Sequence, residues 1–299
     1  MIVSKCPLRV SLVGGSTDLQ EFIDKHGIGS VISFPTNLYT YITINKNISS
    51  DNWIVNYSKS ERVNSPDKIE NDIAREVIKY FNLPPIAMTF NCDIPSSGSG
   101  LASSSSYLIS AISAACKFKN INYSQADIAK LAIQLERKFN QLTGYQDTYG
   151  CGLPSPKLMT FNGDIDVKFI NLPKYKMFLY DTKVKRLSTN ILKTINIEKS
   201  YPLLELVDKT YKHLNNSNQF FKLLQNAWDT KKKTSSNVLN DNYLVDLDNQ
   251  FSRDSNVKFH KLCGAGGGGY FLMITNKLTS GGEMIEINID NKGVIVWEI

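Results

Sequence analysis

The chain has 299 residues, 42% of them hydrophobic and 21% charged, which places it among ordinary globular proteins with enough length for one large or two medium folding units. A net charge of +6 is mild, and the basic runs at 183–186 and 231–233 are too sparse to argue for a nucleic-acid partner; the second reads as a solvated helix face. Five scattered cysteines without a C-x-x-C indicate neither a zinc site nor a disulfide framework, and no apolar run approaches the roughly 18 residues that a membrane span needs. Without a leader pattern at the N-terminus, a cytoplasmic location with no membrane partner is the expectation, the thiols free and buried.

Residues 2–13 alternate as a strand, with Arg9 inside the apolar run, a costly place for a charge unless it is paired or faces a cleft. Gly14, Gly15, Ser16, Thr17 and Asp18 follow as a tight polar turn suited to sugar hydroxyls; Asp18 reads equally as the N-cap of a helix over 19–26. Residues 29–48 predict two strands, 53–57 another, and 67–81 a helix with Ile69, Ile73, Val77, Ile78 and Phe81 on one face.

The stretch over 88–117 is organised as strand, glycine-rich loop and helix. Its loop carries Ser97, Gly98, Ser99, Gly100, Leu101 and Ala102, and Ser103, Ser104, Ser105 and Ser106 open the helix. Glycines let backbone N–H groups approach a ligand closely, and a helix N-terminus presents unpaired N–H groups at the positive end of its dipole. That arrangement suits a polyphosphate. It is not a Walker P-loop, since no lysine follows the glycines, and it lacks the third glycine of the dinucleotide fingerprint. The formal G-x-G-x-x-G at 264–269 precedes a strand, not a helix.

Ser124 and Asp127 form a capping box for a second helix, with Ile128, Leu131, Ala132, Leu135 and Phe139 as its buried stripe. Glu136 sits at the edge of that stripe, where a carboxylate can face either a cleft or solvent. Residues 144–152 read as a polar loop containing Asp147, eleven residues after Glu136. Strands are expected at 158–161, 167–172 and 177–181, and a domain boundary at Pro173. Beyond it come helices from Ser188, over 203–214, 219–228 and 244–251, then strands at 257–263, 270–274, 285–289 and 294–299. That order suggests a small α+β domain over 174–299 after a first domain over 1–173.

Three stretches together carry a family resemblance: PLRVSLVGGSTD (7–18), DIPSSGSGLASSSS (93–106) and KLCGAGGGGY (261–270) match, in order and spacing, the three motifs of the GHMP small-molecule kinases. The first, with VNYSKSERV (55–63) and GYQDTYG (144–150), is most similar to the D-glycero-D-manno-heptose 7-phosphate kinases and the related L-fucokinases. The resemblance implies an α+β GHMP kinase fold, with an N-terminal domain like ribosomal protein S5 domain 2, a C-terminal ferredoxin-like domain and the active site between them. It implies ATP and Mg²⁺ as cofactors and a small sugar or sugar phosphate as partner, in a monomer or homodimer.

Residue by residue, the resemblance implies that 97–105 wrap the ATP phosphates, that Ser104 and Glu136 hold Mg²⁺, and that Asp147 acts on the accepting hydroxyl beside Arg9. Gly14, Gly15, Ser16, Thr17 and Asp18 would hold the sugar, joined by Tyr149, Gly266 and Gly267, while Lys183 and Arg186 would meet a distal phosphate. Two departures stand out: the loop from Pro95 to Gly100 is one residue longer than usual, and Ala102 replaces a glycine.

Overall fold

The computed structural model describes residues 1–48, 50–185, 191–275 and 284–299. Its spine is the antiparallel pair of β1 (Ile2–Val13) and β2 (Gly29–Lys46). Gly29–Lys46 form one 18-residue strand where two were expected over 29–48. Pro35 does not break it, because the pairing jumps from Pro7↔Tyr39 to Arg9↔Pro35, and a proline is tolerated where a ladder bulges. The Thr36 hydroxyl donates to the Leu8 carbonyl at 3.0 Å inside that irregularity.

One half of β2 pairs with β6 (Lys157–Phe161) and the other with β5 (Ile86–Cys92). With β3 (Trp53–Asn56), β4 (Ser60–Val63), β7 (Ile165–Phe169) and β12 (Ile295–Glu298) they make an eight-stranded sheet, ordered β12-β1-β2-β5-β3-β4 with β6 and β7 branching from β2. Against it pack α2 (Asp72–Tyr80), α3 (Ser103–Phe118), α4 (Gln125–Glu136) and α5 (Gln146–Gly152), while α1 (Gln20–His26) flanks the start of β2.

The helix expected over 67–81 is divided into a 3₁₀ turn at Pro66–Lys68 and α2. The Glu61 carboxylate accepts the backbone N–H groups of Glu70 at 2.6 Å and Asn71 at 3.1 Å, and Asn71 then caps α2 through the N–H of Ala74. The stretch 144–152, expected as a loop, contains α5.

The second sheet has four antiparallel strands, β8 (Met177–Asp181), β9 (Val257–Leu262), β10 (Tyr270–Thr275) and β11 (Met284–Ile287), in the order β11-β8-β10-β9. Helices α6 (Ile197–Lys212), α7 (Ser217–Thr234) and α8 (Asn242–Arg253) precede β9 in the chain. This is the α+β architecture expected. A division into 1–173 and 174–299 needs one correction: β12 returns to pair with β1, so the last strand belongs to the first sheet. The helix expected to start at Ser188 begins outside the described residues.

Two cores share the spine. Ile42, Ile44 and Met88 pack with Leu108, Ile112 and Leu135 beneath α2–α4. Leu8, Val10, Leu12 and Phe34 pack instead with Leu224, Trp228 and Leu272 of the second half. The end of β1 is therefore wedged between the two halves, and a cavity opens beside it. The five cysteines form no disulfide, and among the described residues no helix is long and apolar enough to cross a membrane.

Candidate active site

The cavity has a volume of about 300 Å³, the lower end of the range for small-molecule sites. At one end the glycine-rich loop turns its backbone inward. Gly98 and Gly100 have φ of 72° and 81°, and Ala102 follows at φ 60°, ψ 40° as the N-cap of α3, with no side-chain cap on the helix N–H groups. The departure at Ala102 therefore falls on a position that glycine would occupy without strain. Ser99 and Ser103 hydroxyls lie 2.9 Å apart, and Leu101 is fully buried beneath the loop. The third motif braces the second: the Tyr270 N–H donates to the Ser99 carbonyl at 3.2 Å, and a Cβ on Gly269 would meet the Gly98 and Ser99 carbonyl oxygens at 2.5 Å.

Arg9 crosses the middle of the cavity. Its Nε and Nη2 donate to Asp147 Oδ1 at 3.1 and 2.7 Å, and its Nη1 donates to the Gly100 carbonyl at 2.9 Å. The guanidinium is buried, whereas the Asp147 side chain keeps 32% of its surface open toward the cavity. Gly150, one turn further along α5, lets Arg9 pass, since a Cβ there would sit 3.2 Å from its Cγ. A buried cation thus holds a carboxylate at the cavity wall and ties it to the glycine-rich loop.

Glu136, at the last turn of α4, is also buried, and the Ser105 hydroxyl donates to its Oε2 at 2.8 Å. Burial raises its pKa to about 7, with Asp147 repulsion adding to the shift, while Ser105, Ser104 and Thr143 hydroxyls oppose it. A dry carboxylate of that kind is a ready partner for a cation. Ser104 is exposed at the same wall. Among the described residues no cluster of three or more His, Cys, Asp or Glu forms a metal cage. One carboxylate, one hydroxyl and a ligand's own phosphate oxygens are the donor set that suits magnesium.

The other end is built around Asp18, buried where the helix-cap alternative would have exposed it. Leu19 takes the N-cap position of α1. Asp18 instead accepts the Ser16 N–H at 3.2 Å and, from Gln146, the backbone N–H at 3.1 Å and the side-chain amide at 2.8 Å. Gly144 is required beside it, because a Cβ would lie 2.1 Å from Asp18 Oδ2. Burial raises the Asp18 pKa to about 6. Ser11 and Gln146 belong to the cavity lining, and their buried Oγ and Oε1 atoms have no hydrogen-bond partner.

Most residues expected at the site reach it. Gly14, Gly15, Ser16 and Asp18, and the loop residues Ser97, Gly98, Ser99, Gly100, Ala102, Ser103, Ser104 and Ser105, all line the cavity. Thr17 does not: its hydroxyl lies 2.8 Å from the Gly14 and Ser30 carbonyl oxygens and latches the turn to β2. Tyr149 packs in a core with Ile133 and Phe161, on the face of α5 away from Asp147. Gly266 and Gly267 press on Val238 and Ile191, and the cavity is met by Gly264 and Ala265 instead. Lys183 is exposed and paired with Asp181 outside the lining, and Arg186 lies outside the described residues.

Two cations at the wall were not foreseen. Lys261 of β9 donates to the Ser11 and Leu12 carbonyls at 2.8 and 3.2 Å, and burial lowers its pKa to about 8. Lys231 of α7, expected on a solvated face, is buried and donates to the Ser16 hydroxyl. Lys231 had a signal: it continues the helical stripe of Leu224, Ala227 and Trp228.

Residues 68–154 match the family model of the GHMP kinases N terminal domain. That match, inside a fold shared with the GHMP kinases, agrees with the resemblance that the three motifs carry. Along 92% of its length it is 24% identical to a D-glycero-alpha-D-manno-heptose 7-phosphate kinase of Campylobacter jejuni, of which the match covers 89%. Among solved structures, a D-glycero-D-manno-heptose 1-phosphate kinase from Bacteriodes thetaiotaomicron superposes with a TM-score of 0.76 at 21% identity, covering 100% of this chain and 99% of that one. A Lactococcus lactis galactokinase complexed with galactose also gives 0.76, at 13% identity, covering 97% and 94%.

Proposed function

We propose that this chain transfers the γ-phosphoryl group of ATP, with Mg²⁺, to the anomeric hydroxyl of a sugar, D-glycero-D-manno-heptose 7-phosphate being the favoured acceptor and the 1,7-bisphosphate the product. Such a product would feed the making of nucleotide-activated heptose for surface polysaccharide. The observation that carries this reading is the Arg9–Asp147 pair, set between an anion-binding loop and a sugar-sized polar pocket. The names of the relatives support the choice of acceptor.

The residues present fit both cofactors. ATP supplies the phosphoryl group, and Mg²⁺ neutralises charge on its oxygens. The loop from Ser97 to Ser105 would hold the phosphates through backbone N–H groups and hydroxyls, with Ser104 and Glu136 as the metal donors. Phosphoryl transfer asks a protein for positioning and charge stabilisation more than for covalent chemistry. Asp147 orients the attacking hydroxyl and takes its proton at a carboxylate oxygen. Arg9 holds that carboxylate in place and keeps a fixed positive charge beside the loop, where negative charge gathers in the transition state. Asp18, with Gln146 and Ser11, positions the sugar.

ADP release measured with Mg-ATP and heptose 7-phosphate, L-fucose, galactose and mannose tests the reading. Selective turnover of the heptose phosphate is expected. Turnover of a free sugar alone would replace the acceptor and keep the chemistry. ATP binding with silence across the panel would count against catalysis on these sugars.

A further inference from the structure

We propose that the ammonium group of Lys231 is the anchor for a phosphate carried by the sugar acceptor, and that it sets the preference of the site for a phosphorylated over a free sugar. The inference rests on the sugar-kinase reading above and adds to it the residue that selects the acceptor's charge. Lys231 lies at the acceptor end: its Nζ donates to Ser16, in the turn that also carries Asp18. The buried stripe of α7 brings it there. Leu224, Ala227 and Trp228 occupy the preceding positions of that stripe, so the lysine replaces an apolar side chain at a place facing the cavity.

The rotation of α7 is fixed by a separate polar cluster. Asp248 accepts from the Trp228 indole at 2.7 Å and from Lys232 at 2.9 Å, and lies 2.9 Å from His260 Nε2. That network holds Lys232 off the cavity and leaves Lys231 on it. Ser16 has φ 87°, a strained value for a residue with a side chain, and its hydroxyl meets the ammonium there.

The alternatives are less suited. Lys183 points to solvent beside Asp181, and Lys261 is engaged by two backbone carbonyls of β1. The acceptor end then carries the Lys231 ammonium beside the Ser16–Asp18 turn, with Asp147 and Arg9 in the middle of the cavity and Ser11 and Gln146 also in its lining. This layout matches an acceptor that offers a hydroxyl to Asp147 and a dianion to Lys231. Lysine suits such a role as a point charge with three donors.

The test compares wild type, Lys231→Met, Lys231→Arg and Lys233→Met, the last removing an exposed charge two residues away. Calorimetric titration with heptose 7-phosphate and with the same heptose lacking the phosphate gives a preference ratio for each, independent of turnover. Wild type and Lys233→Met should bind the phosphate ester more tightly. Lys231→Met should lower the ratio by about ten- to hundredfold, the size of one lost charged hydrogen bond, and Lys231→Arg should restore part of it. Inorganic phosphate should compete with the ester in wild type and compete more weakly in Lys231→Met. A wild type without preference for the phosphate, or a Lys231→Met protein that keeps it, overturns the proposal. Preserved preference without ADP release would instead overturn the kinase reading and leave the anchor standing. Matching thermal transitions for all four proteins exclude a folding defect as the cause.

Discussion

The two ends of the cavity are made in opposite ways. The end proposed for nucleotide phosphates comes from one unbroken stretch, Ser97 to Ser105, and offers backbone N–H groups and a helix terminus. The end proposed for the acceptor draws Ser16 and Asp18 from the turn after β1, Gln146 from α5 and Lys231 from α7, and offers side chains. Binding an anion by backbone is a local property, so the loop sequence announces it. Recognising a particular acceptor needs side chains converging from separate elements, and no local pattern announces that.

The comparison can be broken first at the junction between the two ends. Asp147→Asn should lose roughly a thousandfold in kcat, within the range for removal of a general base, while still binding Mg-ATP. Turnover kinetics and nucleotide titration would check it; near-normal kcat would remove Asp147 from the chemistry.

At the acceptor end, Asp18 gives a pH signature. Its folded pKa of about 6 lies above the ordinary 3.8, so the native state keeps a proton that the unfolded chain has released. Its contribution to stability is therefore greatest below pH 3.8 and falls as pH rises through about 6, by about 3 kcal/mol at 1.36 kcal/mol per unit. Asp18→Asn should flatten that part of the profile in urea denaturation of the ligand-free protein at pH 4 and pH 7. Identical slopes for the two proteins would contradict the assignment.

The phosphate end should fail through its backbone instead. Gly269→Ala should cost about 2 kcal/mol of stability and raise the KM for ATP, because its Cβ would press on the Gly98 and Ser99 carbonyls at φ 87°. An unchanged melting temperature and KM would show that the third motif does not brace the second. The smallest expected effect is a gain. Ala102→Gly should stabilise the protein by about 1 kcal/mol, by relieving a left-handed alanine at the start of α3.

Much of the fold was legible in the chain. The strands around the three motifs, the capping box of α4 and the stripe of α3 each follow from periodicity and caps within a dozen residues. What was misread depends on distant partners. Pro35 continues β2 because β2 itself bulges against β1 between Tyr39 and Pro35, and the helix after Ser65 breaks because Glu61 captures two N–H groups. Residues 144–152 fold into α5 with Asp18 accepting its first N–H groups, and β12 joins the first sheet because β1 has an open edge.

The same division runs through the site. By itself the sequence determined the anion loop, the buried charge at Arg9 and the spacing of Glu136 and Asp147, because glycine conformations, helix termini and charges in apolar runs are written in neighbouring residues. Only the tertiary structure decided that Arg9 grips Asp147, that Asp18 turns inward rather than capping α1, that Tyr149 and Lys183 stay off the cavity and that Lys231 enters it. A side chain's surroundings are set by which faces pack together, and that packing is decided by the whole chain.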